Sequence, residues 1–301
     1  MKTIQYHIEY LFFRLLLTMT RLLPPEALHY LAVGFGDMLF YSGIRRKVVD
    51  KNLSIAFGQQ LNPKDLKMLA RKSYRNAAIV AFEFLLMQHI QPDQLHRYIS
   101  IEGIDSLKEG LKEGNGAIVA GNHFGNWELI TAALSQFGTP LVIFSGMQKN
   151  HRIDDAINKI RRKFGTLTIP KSKSAPFEMM KALKANKPLG MAGDLNVPHD
   201  NLFVDFFGKK AVVGQGLATF ALKRNAPLFF IWNVRIAPLT YKGYMKRIHY
   251  QITGNRTADL QSLAQSISDE LQDKIIRHPD QYFWFNRRWK TRPPDDPEDV
   301  Y

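Results

Sequence analysis

Cysteine is absent from the 301 residues. Its absence excludes a disulfide framework and a thiol nucleophile, and it fits a reducing compartment. Also missing is any uncharged apolar stretch of the roughly 18 residues that a membrane-spanning helix needs. No Pro/Gly/Ser-rich linker divides the chain and no internal repeat is present, so it reads as one domain with an N-terminal extension. The N-terminus lacks a secretory pattern: Glu9, Arg14 and Arg21 interrupt the apolar run, and no small-residue cleavage site follows. Acidic residues are scarce, with 27 Asp and Glu against 41 Lys and Arg, a net charge of +14.

Much of that excess is local. Residues 149–187 hold eleven Lys and Arg and three acids, a net +8. A field of this sign attracts polyanions, whether nucleic acid, anionic lipid headgroups or an acidic protein. A solvated helical face would give the same run. Residues 10–23 are strongly apolar, and Arg14 and Arg21, seven apart, share one helical face. Pro24 and Pro25 stop this segment. The pattern is that of an amphipathic helix lying in a membrane interface, with an ordinary core helix and a shallow span as the other readings. A second apolar segment, 27–41, is broken by Asp37.

The middle of the chain alternates short apolar runs with helical patterns. The runs are 117–120, 141–144, 189–192 and 228–234; the helical stretches are 129–136, 154–164, 177–184 and 216–223. That alternation predicts an α/β fold whose central sheet is mostly parallel and flanked by helices. Residues 246–253 read as an edge strand. Residues 257–278 read as an amphipathic helix packing on the sheet through Leu260, Leu263, Ile267, Leu271 and Ile275. The acidic, Pro-containing stretch 293–301 is expected to be disordered.

The densest chemistry lies in Gly121-Asn122-His123-Phe124-Gly125-Asn126-Trp127-Glu128. The apolar run before it reads as a buried strand, and 126–137 reads as a helix. His123 therefore falls on the turn leaving a strand, with Glu128 in the first helical turn. A carboxylate holding one imidazole nitrogen leaves the other free to take a proton from a hydroxyl. The carboxyl end of a strand is also where open α/β sheets place their sites. The spacing predicts a general-base dyad in which Glu128 orients His123, with backbone N–H groups at Gly125 and Asn126 as candidate oxyanion donors. A satisfied core histidine is the plain alternative. A metal site built on His123, Asp194 and His199 is another, but their spacing matches no standard zinc motif.

This motif resembles the His-x4-Asp/Glu signature of the lysophospholipid acyltransferase superfamily, and within it the chain resembles the bacterial lipid A biosynthesis acyltransferases. Other segments carry the likeness in consistent order: 45–57 with Asn52-Leu53, 179–194 ending in Asp194, 203–208 followed by Gly214 and Gly216, and 282–293. The resemblance implies a glycerolipid-acyltransferase-like fold with membrane-associating helices over 1–41 and an acyltransferase domain over 42–292. It implies transfer of a fatty acyl chain from an acyl carrier protein thioester directly to a hydroxyl of an anionic lipid A precursor. His123 and Glu128 would be the catalytic pair, with no acyl-enzyme, no cofactor and no metal. It places the enzyme at the cytoplasmic side of the bacterial inner membrane. The acidic carrier protein and the phosphorylated acceptor are both partners that the basic segment suits.

The family carries a functional Arg upstream of the Asp equivalent to Asp194. Arg162 is the better match and Arg161 competes. Such an Arg clamps phosphate bidentately, and Asp194 would position it or the acceptor, unless the two form a structural ion pair. Asn122 and Asn126 either orient the dyad or cap the turn. Arg287 and Arg288, beside Trp289, suit phosphate binding at an interface. Three rivals remain. A glycerolipid acyltransferase would share the motif, but its Glu-Gly-Thr-Arg phosphate motif is absent. A phosphatidylinositol mannoside acyltransferase has a similar layout. A basic nucleic-acid-binding protein would explain the charge but not the dyad, and no helix-turn-helix, zinc-finger or RNP pattern is present; nucleic acid is therefore not an expected partner.

Overall fold

The apolar runs become strands buried on both faces, which is why they lack the polar alternation of a solvent-facing sheet. The computed structural model describes residues 2–199, 201–296 and 300–301. Seven strands form one sheet in the order β1 (Ile99–Glu102), β9 (Thr240–Ile248), β8 (Leu228–Ala237), β2 (Ala117–Gly121), β5 (Pro188–Ala192), β3 (Val142–Ser145) and β4 (Leu167–Pro170). Neighbours run parallel except β8 and β9, which form an antiparallel hairpin. The mostly parallel α/β sheet read from the sequence is present. The strand expected over 246–253 is displaced: β9 ends at Ile248 and lies between β1 and β8, inside the sheet. The edge on that side belongs to β1, whose four residues are too few to show a period.

Side chains alternate between two cores. Ile118, Ala120, Leu228 and Phe230 point to one, while Ala117, Val119, Phe229 and Ile231 point to the other. The first core is closed by α3 (Arg46–Phe57), α8 (Ala175–Lys184), α9 (Gly216–Arg224) and α10 (Arg256–Arg277). The second is closed by α5 (Asp105–Leu111), α6 (Trp127–Phe137) and α7 (His151–Lys163). The long helix α4 (Pro63–Leu86) serves both, Tyr74 in the first and Phe82 in the second. A small hairpin of β6 (Asn201–Phe206) and β7 (Lys209–Gly214) packs on α10. The chain leaves β2 into α6 on one face, and after β5 and this hairpin it enters α9 on the other. The crevice between the ends of β2 and β5 is thus flanked by connections running to opposite faces, the usual ligand position in open α/β sheets.

At the N-terminus, α1 (Lys2–Leu22) and α2 (Pro25–Ser42) lie over α4. Asp37, the charge that interrupts the second apolar segment, faces α4. It accepts paired hydrogen bonds from Arg71 and Arg75 at 2.6–2.7 Å. Gly36 sits so close that a Cβ there would lie 2.5 Å from the Cα of Arg75. On the outer side, Ile4, Ile8, Leu11, Leu15 and Leu22 recur at helical spacing and are all more than half exposed. Among the described residues, no helix is long and apolar enough to cross a membrane.

In the stretch 293–301, expected to be disordered, the last two residues are docked on the fold. Val300 is buried, and the Tyr301 hydroxyl donates to the Asn52 side chain and accepts from the backbone N–H of Trp289. Residues 297–299 lie outside the described residues.

Candidate active site

Parallel pairing sets the site. Gly121 of β2 is in register with Ala192 of β5, and the Gly193 N–H donates to the Gly121 carbonyl at 3.0 Å. Two residues beyond each strand end stand His123 and Asp194, brought level by the same register. Asp194 Oδ1 lies 2.9 Å from His123 Nδ1, and Oδ2 accepts the His123 backbone N–H at 2.9 Å. Asp194 is 1% exposed, whereas the His123 side chain is 23% exposed. An ionised Asp194 has no proton to give, so Nδ1 carries the hydrogen and Nε2 keeps its lone pair. Trp127 and Phe283 wall the imidazole, with ring centroids 5.2 and 6.1 Å away.

The electrostatics follow from this pairing. Burial disfavours a charged His123, but the charge and hydrogen bond of Asp194, with a further contribution from Glu128, carry its pKa above the ordinary 6.5. Burial likewise works against an ionised Asp194, and is outweighed by His123, through charge and two hydrogen bonds, and by Arg288, so its pKa falls below 3.8.

The turn carrying His123 is held from beneath. Gly125 adopts φ +63°, and a Cβ there would meet the Asn233 carbonyl at 2.1 Å, so glycine is required. Asn126 is fully buried and caps α6, its Oδ1 accepting from the Leu129 N–H at 3.0 Å while its amide donates to Glu83 at 2.8 Å. The same Glu83 accepts from the Tyr241 hydroxyl, and Asn233 exchanges two hydrogen bonds with the Asn126 backbone. Asn122 donates to the Ile231 carbonyl at 2.8 Å. Asn122 and Asn126 thus brace the turn against β8 and α4. Neither expected oxyanion donor is free: the Gly125 N–H goes to the Gln281 carbonyl and the Asn126 N–H to Asn233.

Glu128 does not hold the imidazole. As the second residue of α6 it faces α7, where Arg161 grips it bidentately, Nε to Oε2 at 3.0 Å and Nη2 to Oε1 at 2.6 Å. Five residues across a turn can bring Glu128 and His123 together, but strand register sets a residue 71 positions away opposite the ring instead. Arg161 is also the arginine that reaches the site, its Nη1 donating to Ser145 at 3.3 Å. Arg162, one residue and about 100° further round the helix, lies with Arg14, Arg152, Lys159 and Lys163 in a separate cleft between α1 and α7. Arg288, expected to bind phosphate, is withdrawn from the surface. It is 2% exposed, donates to the Val212 carbonyl and packs 5.0 Å from the Phe206 ring, so it serves the fold and the field at Asp194. Arg287 is exposed. For Glu83 the sequence holds a signal, an acid inside the apolar run 77–86; for Asn233 it holds none.

His123, Trp127, Glu128, Thr131, Arg161 and Gly190 line a cavity of about 130 Å³ at the strand ends. A proton acceptor, a carboxylate-held cation and apolar walls therefore share one half-open cleft. Among the described residues, no group of three or more His, Asp or Glu could hold a metal ion.

The family described as bacterial lipid A biosynthesis acyltransferase matches residues 1–291, nearly the whole chain. The chain belongs to this family. The acyltransferase is 24% identical over 273 residues to the lipid A biosynthesis palmitoleoyltransferase of Escherichia coli K12, covering 90% of this chain and 87% of that protein. It is also 24% identical over 277 residues to the lipid A biosynthesis lauroyltransferase of the same organism, covering 90% and 88%. The phosphatidylinositol mannoside acyltransferase of Mycolicibacterium smegmatis matches at 24% over 232 residues, 75% and 73% of the two chains. The relatives thus act on more than one lipid class at equal identity to this acyltransferase.

Proposed function

We propose that the acyltransferase moves a fatty acyl chain from an acyl carrier protein thioester to a hydroxyl of a phosphorylated lipid A precursor, with His123 as general base. The His123–Asp194 pair carries this reading: a buried carboxylate fixes the ring and leaves Nε2 basic in the wall of a cavity at a sheet switch point. Nε2 takes the acceptor hydroxyl proton as that oxygen attacks the thioester carbonyl. The tetrahedral intermediate collapses, the C–S bond breaks, and the leaving thiolate takes the proton back from the imidazolium. Asp194 stabilises that imidazolium, as the carboxylate of a hydrolase triad does, without an enzyme nucleophile. The chain has no cysteine to serve as a thiol nucleophile. Glu128 keeps Arg161 in the cavity wall, where its charge favours a developing oxyanion.

The donor and the membrane are supported by surface chemistry. Arg14, Arg152, Lys159, Arg162 and Lys163 make a cationic cleft with Asp155 as its one acid, suited to an acidic carrier protein. The exposed apolar row of α1 suits an interfacial helix on the cytoplasmic side of the inner membrane. The mycobacterial relatives support a second acceptor, a mannosylated phosphoinositide.

The test is transfer of labelled acyl chains from a set of carrier-protein thioesters to a tetra-acylated lipid A precursor in detergent, with wild type beside His123→Ala. Transfer by wild type alone supports both the reaction and the base. Wild-type turnover in folded His123→Ala would overturn the base. Transfer only to the mannosylated phosphoinositide would overturn the acceptor.

A further inference from the structure

Acyl transfer brings two substrates to one histidine; His123 lines one cavity, and Phe283, which packs on it, lines a second. The smaller one lies at the strand ends. On the other side of Phe283, a groove of about 570 Å³ runs between α2, α4 and the C-terminal segment. That size falls within the roughly 300–1,000 Å³ of small-molecule pockets.

The inner end of the groove touches the candidate site. Phe283, which lines it, packs on the His123 ring, and its N–H donates to the His123 carbonyl at 3.0 Å. The outer side joins the exposed apolar surface of α2. Phe35 and Leu39 line the groove, and Leu31, one turn before Phe35 in the same row, is 37% exposed. Met38 and Tyr41 beside them are 55% and 70% exposed. An acyl chain can therefore slide from an apolar phase into the groove without crossing water. The depth comes from Ala77 and Ala81, one turn apart on α4.

The rim carries charge of one sign. Arg45, Arg287 and Lys290 line the groove and are exposed, and among the described residues none of the three makes an ion pair. Arg45 holds φ +60°, a left-handed conformation that glycine adopts more cheaply, so the turn itself does not call for arginine there. An apolar trough with a cationic rim is the complement of a lipid carrying phosphate.

On the acyl-transfer reading above, we infer that this groove holds the acceptor lipid. One of its existing acyl chains lies along Phe35, Leu39, Ala77 and Ala81, its phosphate meets Arg45, Arg287 and Lys290, and its free hydroxyl reaches His123. The small cavity is left for the donor thioester.

Two variants test this. Arg45→Gly/Arg287→Gln/Lys290→Gln removes the charge while giving the strained turn its preferred residue. Ala81→Phe fills the groove from an exposed position of α4. Each is expected to raise the KM for the tetra-acylated precursor about tenfold or more, with kcat and the KM for the thioester within about twofold. In a binding assay, wild type in neutral detergent micelles should retain phosphatidic acid over diacylglycerol, and the triple variant should lose that preference. A raised thioester KM with an unchanged acceptor KM would assign the groove to the donor and overturn the proposal, as would a preference for phosphatidic acid that survives in the triple variant. Weaker phosphatidic acid retention with an unchanged acceptor KM would mark a site for bystander phospholipid and overturn it too. If wild type transfers from no thioester yet loses its phosphatidic acid preference on triple substitution, the reaction has been misread and the anionic-lipid groove stands.

Discussion

His123 is poised by opposing terms, and their balance is measurable. The base proposed above works only when neutral, so activity should rise with pH along a limb centred above 6.5, where Asp194 and Glu128 have carried the His123 pKa. Asp194→Asn removes the larger support and leaves burial to dominate. The limb should then move down in pH, and the rate should fall by roughly 10²- to 10⁴-fold because the amide can also select the wrong tautomer. Glu128→Ala should reduce the rate less and shift the limb less, since Glu128 acts on His123 through space, without a hydrogen bond to the ring. If Glu128→Ala shifted the pH profile more than Asp194→Asn, the assignment of the orienting carboxylate would be reversed. The linked stability has two signs. The raised His123 contributes below 6.5 and loses its contribution as pH climbs through the folded value. The depressed Asp194 contributes above 3.8 and loses its contribution in acid.

Among the elements, the contact of α2 with α4 shapes the groove and carries the N-terminal layer. It depends on a close approach at Gly36 and on the Asp37 pair beside it. Gly36→Ala would drive a methyl into backbone, and it should cost about 1–3 kcal/mol in chemical denaturation. Asp37→Asn should cost about 1 kcal/mol, because the pairs are partly exposed and solvent screens them. Arg71 and Arg75 hold the Asp37 pKa far below its usual range, so its contribution is present above pH 3.8 and fades as pH falls through the folded value. Wild type and Asp37→Asn should therefore converge in stability in acid; a constant gap down to pH 2 would mean that packing rather than charge sets the difference.

For the whole molecule, charge and apolar surface are segregated. The exposed row on α1 and the cationic cleft lie on different sides of that helix: Leu11 and Leu15 belong to the first, Tyr10, Arg14 and Leu17 to the second. Leu11→Asp/Leu15→Asp should release the protein from anionic vesicles by roughly tenfold or more, each buried leucine being worth about 1.5–3 kcal/mol, with the thermal midpoint nearly unchanged because neither residue is in the core. Retention of wild-type vesicle binding would mean that α1 is not the anchor. Added salt should weaken use of the thioester donor more than vesicle binding, since the first rests on charge and the second on apolar area.

What the sequence determined by itself is what depends on local order. Apolar runs too short for a buried helix gave the parallel strands of the core, 3.6-residue periods gave α6 to α10, and a Gly-Asn-His turn after a strand gave the place of the site. Tertiary structure decided the partners. Asp194 rather than Glu128 meets the imidazole because β2 and β5 pair in a register that aligns residues 71 apart, and no local pattern encodes the pairing of strands. Arg161 rather than Arg162 enters the site because which face of α7 turns inward is set by packing. Arg288 is withdrawn from the surface and the tail end is docked for a related reason: Phe206 and Val212 receive the first, and Asn52 the second, all distant in sequence. Residue type and period are written in neighbouring positions, whereas hydrogen-bond partners are chosen by whichever groups the folded sheet and helices bring within about 3 Å.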